Sequence, residues 1–129
     1  MDRKLDASEI TCAITNMRGG KAAGLDDLPV DTYKIFKDKL AEPILAMYEE
    51  SFQQGRLPDS LRSALITLIL KPIKSPTNCT LYRPISLLNT DAKIIAKVMA
   101  RRQEPVLPTV INPDQNGFVK NSRAFHNVR

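Results

Sequence analysis

Residues 64–88 read A-L-I-T-L-I-L-K-P-I-K-S-P-T-N-C-T-L-Y-R-P-I-S-L-L. The first seven, Ala64 to Leu70, are short and almost continuously apolar, the pattern of a strand covered on both faces. Lys71-Pro72 closes that run. Residues 73–80 form a polar loop with a proline, and Leu81 to Ser86 make a second, proline-interrupted strand. This stretch predicts a β-hairpin.

Helix is predicted on either side of it. Upstream, Asp6 serves as an N-cap with Glu9 reaching back to it, and Leu5 and Ile10 are spaced for a hydrophobic staple. Ile10, Ile14 and Met17 then share one face, and Gly19-Gly20 stops the helix. Residues 21–29 are a loop. Pro29 suits a first helical turn, followed at helical spacing by Val30, Tyr33, Phe36 and Leu40. Pro43 removes a backbone donor, which splits this stretch and starts a second helix at about Glu42. It runs to Gln54 with Leu45, Tyr48 and Phe52 on one face, and Gly55 stops it. Downstream of the hairpin, Asn89 or Thr90 caps a helix to about Gln103, with Ile94, Ile95, Val98 and Met99 as its apolar residues. Arg101 and Arg102 complement the dipole of its last turn. Pro105, Pro108 and Pro113 interrupt the next segment, and Asn121 or Ser122 caps a final helix reaching Arg129. The predicted fold is α+β and helix-rich, in a single domain over residues 1–129.

Composition narrows the function classes. Of 129 residues, 43% are hydrophobic, which suits a folded chain. The net charge of +5 is unevenly spread: residues 1–70 carry 9 Lys/Arg and 11 Asp/Glu, whereas residues 71–129 carry 10 and 3. A basic C-terminal half offers an electrostatic footprint for a phosphate backbone, or a solvated surface that keeps the chain in solution. Cys12 and Cys79 lack C-x-x-C spacing and have a single histidine to join them, which argues against a zinc site. The N-terminus has no apolar leader and no run approaches a membrane span, so the expected location is inside the cell.

Five motifs then stand in order along the chain. Gly20-Lys21-Ala22-Ala23-Gly24-Leu25-Asp26 looks like a G-K-x-x-G-x-D box. Gly55-Arg56-Leu57-Pro58 precedes the apolar strand ending in Lys71-Pro72. Tyr82-Arg83-Pro84-Ile85-Ser86-Leu87-Leu88 is followed by Lys93, Lys97 and Arg101-Arg102. Pro113-Asp114-Gln115-Asn116-Gly117-Phe118-Val119 leads to Phe125-His126-Asn127-Val128-Arg129. Together they resemble the reverse transcriptase of non-LTR retrotransposons, the long-interspersed-element type, over nearly the whole chain. Asp27 stands where that family usually has glycine, Ala23 where it often has proline, and Gln103 where it usually has leucine. The family's arginine position after Phe118 is held by Ser122, with Arg123 one residue later.

The resemblance implies a fingers subdomain and the entry to the palm. It implies that Lys71 and Arg83, on a hairpin folding over the incoming nucleotide, bind the triphosphate. Such roles suit a mobile point charge and a guanidinium that forks onto two oxygens. Lys71 equally suits a guard against strand addition, and Arg83 an ordinary ion pair. Lys93, Lys97 and Arg101, at i, i+4 and i+8, are candidates for a template backbone or for a solvated helix face. Gln115, Gly117 and Phe118 are further template candidates, although Asn116-Gly117 is also a common turn signal. The implied partners are an RNA or RNA–DNA template-primer and a deoxynucleotide triphosphate, with no membrane. The family's magnesium ions sit on aspartates expected beyond residue 129, so no metal and no cofactor is assigned to this chain. Asp26-Asp27 is read as a loop turn rather than a catalytic pair. The chain is expected to be a partial domain that does not polymerise DNA alone. The alternatives are a stand-alone nucleic-acid-binding module and a non-functional retroelement remnant.

Overall fold

A computed structural model describes residues 4–72 and 76–111. The elements are α1 (Ala7–Thr15), α2 (Val30–Ile35), α3 (Lys37–Gln54), α4 (Asp59–Arg62), β1 (Ala64–Leu70), β2 (Tyr82–Leu88), α5 (Thr90–Gln103) and α6 (Leu107–Val110), with a 3-10 turn at Cys79–Leu81 before β2. The architecture is the expected helix-rich α+β. The predicted final helix and the segment holding Gln115, Gly117 and Phe118 lie outside the described residues.

Helix α1 starts as the sequence requires. Asp6 and Glu9 form a reciprocal capping box, in which the Asp6 N–H donates to Glu9 Oε2 at 3.2 Å. The helix ends at Thr15, earlier than the Gly19-Gly20 stop. Asn16 competes for the last turn, its Nδ2 donating to the Cys12 carbonyl at 2.8 Å. The predicted split at Pro43 is also displaced. The chain breaks at Phe36 (φ −104°, ψ 15°), and Pro43 lies inside α3. The Phe36 carbonyl accepts from both Lys39 and Leu40, at 3.0 and 2.9 Å, which founds a new helix start. Pro43 is exposed, where water can serve the carbonyl its ring leaves without an N–H. At the far end Gly55 adopts φ 65°, and Arg56 N–H reaches back to Ser51 O at 3.1 Å, the Schellman closure that favours glycine.

Helices α1, α3 and α5 enclose the core. Ile10, Ala13 and Ile14 meet Ala41, Ile44 and Tyr48, with Ile94 and Val98 closing the third side and Tyr33 and Leu61 sealing its ends. Each fully buried aliphatic side chain is worth about 1.5–3 kcal/mol of transfer free energy. A partly exposed ion pair, Arg102 with Glu9, joins α5 to α1, and Arg102 also donates to the Lys4 carbonyl at 2.7 Å.

Strand β1 occupies the predicted residues, and β2 runs on through Leu87 and Leu88. They pair antiparallel from Ala64↔Leu88 to Leu70↔Tyr82. Pro84 costs little because β2 is an edge strand of a two-stranded sheet. The expectation that β1 is covered on both faces is overturned: Ile66 and Leu68 are 64% and 62% exposed, and Leu65 and Ile69 on the opposite face 44% and 49%. The apolar run records a preference for cover, and among the described residues the sheet has no layer upon it.

Candidate nucleic-acid interface

The hairpin places two cations together. Side chains alternate along a strand, so Ile69 and Lys71 project to one face. Arg83 lies opposite Ile69 in the register, making it the diagonal neighbour of Lys71. Lys71 continues the ladder through its N–H, which donates to Leu81 O at 2.9 Å, and its Nζ donates to Thr80 O, also at 2.9 Å. That second bond holds the ammonium beside the turn while leaving it two further N–H donors. The Arg83 side chain is exposed and has no hydrogen-bond or ion-pair partner among the described residues. Tyr82 braces the turn, its hydroxyl donating to Pro76 O at 3.1 Å. The result is a small cationic face, open to an anion and rimmed by apolar side chains.

The basic row on α5 is differently placed. Lys93 Nζ donates to Ala22 O at 3.3 Å, Lys97 Nζ to Asn16 O at 2.7 Å, and Arg101 to Cys12 Sγ at 2.8 Å. The row therefore runs along the seam with α1 and the loop after that helix. Lys97 sits on the C-terminal carbonyl of α1, where a cation complements the helix dipole. Lys93 and Lys97 are only partly exposed, whereas Arg101 is exposed. These residues carry charge on the surface and also fasten α5 to the N-terminal helix.

Sequence reading missed the junction at the base of the hairpin. Asn89 is at the predicted cap position, yet its side chain does not cap α5. Its Oδ1 accepts the Leu25 N–H at 2.8 Å and its Nδ2 donates to Ser60 O at 3.2 Å. Thr90, fully buried, donates to Leu28 O at 2.8 Å, and the Tyr48 hydroxyl donates to the Asp91 carbonyl. Gly24 packs directly on this junction: a Cβ there would fall 2.5 Å from the Asn89 nitrogen and 2.7 Å from its Cα. The G-K-x-x-G-x-D box thus seats against the residue that follows the R-P-I-S-L-L strand, and its glycine is demanded by close backbone approach. The one signal in the sequence was that glycine inside a motif.

Carboxylates cluster beside the junction without forming a metal site. Asp26 Oδ1 accepts the Leu28 N–H at 3.1 Å, closing a turn in which Asp27 takes φ 54°. Burial holds the Asp91 carboxyl above its ordinary range, and Asp26 adds to the shift. Burial, then Asp91, pushes Tyr33 up to about 12 and raises Tyr48 as well. Among the described residues no three His, Cys, Asp or Glu side chains are grouped to hold a metal ion. Cys12 and Cys79 are free thiols. No helix among the described residues is long and apolar enough to cross a membrane.

The chain thus presents a basic hairpin fastened to a helical body through a glycine box, and its likeness to known proteins points to mobile elements. The chain is 35% identical, over 99% of its length, to the transposon TX1 uncharacterized 149 kDa protein of Xenopus laevis. Over 73% of its length it is 30% and 28% identical to the RNA-directed DNA polymerases from the mobile element jockey of Drosophila melanogaster and Drosophila funebris. Its relatives are non-LTR retrotransposon proteins. It spans about a tenth of the length of each of these relatives, 10% in every case. No protein-family model matches it.

Proposed function

We propose that this chain is the fingers unit, with the entry to the palm, of an RNA-directed DNA polymerase. In this reading residues 1–129 bind a template-primer and the incoming deoxynucleotide but do not catalyse alone. The observation that carries it is the shared face of Lys71 and Arg83 on the hairpin, in a chain similar to two mobile-element polymerases. A guanidinium with no partner among the described residues and an ammonium held at a turn are suited to triphosphate oxygens. Arg101 and the partly exposed Lys93 and Lys97 offer further positive charge for a template backbone, with Gln115, Gly117 and Phe118 assigned to the same task by the motif alone. The exposed apolar faces of β1 and β2 support a unit that packs on a further body, the palm.

Magnesium belongs to the reaction of such polymerases, but the described residues do not fit it. Asp26 is engaged in its turn, Asp27 comes next in the left-handed region, and no third carboxylate joins them. In this reading the described residues of the chain position phosphate rather than metal.

The test is binding of a primed RNA template, followed by fluorescence anisotropy across a salt series, for the wild type and a Lys71→Ala/Arg83→Ala variant. Two lost phosphate contacts reduce the slope of log K against log salt by about 2. Deoxynucleotide binding, measured separately, is expected to weaken in the same variant. Absence of binding by a folded, monomeric wild type would refute the proposal and leave the remnant reading.

A further inference from the structure

We infer that Asn89 is a positioning residue that sets the angle between the hairpin and the helical body, and with it the aim of Lys71 and Arg83. This role rests on the reading of the hairpin as the nucleotide-facing element. Both stems of the hairpin converge on this one side chain. Ser60 lies four residues before β1, Asn89 itself directly follows β2, and a single amide joins them through the bond to Ser60 O. The other end of the same amide holds Leu25 N–H, in the loop that wedges Gly24 against the Asn89 backbone. Asn89 is 5% exposed and both its functional groups are satisfied. An N-cap side chain ordinarily bonds to its own helix. Here it is diverted to two other segments, which serves the hairpin rather than the helix. The hairpin needs such a clamp, because its own faces are exposed and supply little packing to fix its direction.

Aspartate is the informative substitution. Asn89→Asp keeps an oxygen for Leu25 N–H and suits a helix N-terminus, but sets a carboxylate oxygen against Ser60 O in place of the donor. Asn89→Ala loses both ties. Gly24→Ala disturbs the same junction from the opposite side.

Spin labels on the exposed native Cys79 and on Gln53→Cys, in a Cys12→Ser background of the full chain, report the hairpin-to-body distance by pulsed dipolar spectroscopy. The wild type is expected to give one narrow distribution. Asn89→Asp is expected to broaden it about 1.5-fold, and Asn89→Ala and Gly24→Ala at least twofold, while circular dichroism shows the helices intact. Template and nucleotide affinity then fall in the order of the broadening. An unchanged distribution in folded Asn89→Asp would overturn the inference. Should Asn89→Ala not fold, the aspartate and Gly24→Ala variants still decide it. If the distances broaden as expected but the wild type binds neither template nor nucleotide, the clamp stands and the fingers reading fails. If the wild type binds and no variant broadens, the clamp alone fails.

Discussion

Two isoleucines give a direct measure of how the hairpin is built. Ile94 is fully buried among α1, α3 and α5, whereas Ile66 in β1 is 64% exposed. Truncating a buried isoleucine to alanine removes its transfer free energy and leaves a cavity, costing about 3 kcal/mol within a range of roughly 2–5. At Ile66 only about a third of the side chain is withdrawn from water, so the same truncation costs about 1 kcal/mol. With a urea m-value of about 1.5 kcal/mol/M, the unfolding midpoint moves by about 2 M for Ile94→Ala and about 0.7 M for Ile66→Ala. Urea titrations followed by circular dichroism at two protein concentrations provide the measurement. Equal shifts with an unchanged m-value would show that the sheet is covered in solution and refute the exposed hairpin. A concentration-dependent midpoint lost in Ile66→Ala would locate that cover in self-association.

Named contacts set three further outcomes. Asp27 occupies φ 54°, so Asp27→Val should destabilise by about 1–2 kcal/mol in thermal melts, whereas Asp27→Gly holds or raises the melting temperature. Burial pushes Tyr33 from its ordinary value of 10.0 up to about 12 in the folded chain, and Tyr48 is raised in the same direction. Their contribution to stability is complete below pH 10 and is lost as pH rises from 10 toward 12, because the unfolded state releases those protons first. Urea midpoints across that window should therefore fall, and fall less in Tyr33→Phe. Arg102→Ala, which removes the bridge to Glu9 and the bond to Lys4 O, should cost about 1 kcal/mol, read as a midpoint shift that shrinks with added salt.

Local rules recovered what local physics decides. The Asp6–Glu9 box, the Gly55 stop, both ends of β1 and the extent of α5 were legible because each depends on residues within a turn or two. The burial of β1 was not, since an apolar run states what a strand prefers and not what lies over it. Pro43 misled for a related reason. A proline weakens a helix, but the founding of α3 at Phe36 and an exposed face for the ring let it continue. The spacing of Lys93, Lys97 and Arg101 was right, while their partners Ala22, Asn16 and Cys12 became visible only once α1 docked. Asn89 shows the boundary most clearly. Its place in the chain was read from the helix start, but its bonds go to Leu25 and Ser60, 64 and 29 residues away. Of the proposed anion site, Lys71 and Arg83 were legible by motif, and the pairing register then placed them on one face.

The wedge of Gly24 against Asn89 also orders events during synthesis. The loop that carries Gly24 leaves the ribosome first, and its counterpart emerges 64 residues after Leu25. At about 5–20 residues per second the early half waits roughly 3–13 s for it. Once Gln54 has emerged, α1 and α3 are present without α5 for the rest of that interval, and the seat for Ile94 and Val98 stands open to chaperones. The hairpin, closing a short loop, needs only about 1–10 μs once its second strand is free. Lys71 and Arg83 are thus brought side by side almost as soon as they exist. Their bearing on the rest of the molecule is set last, when Asn89 reaches a loop made long before it.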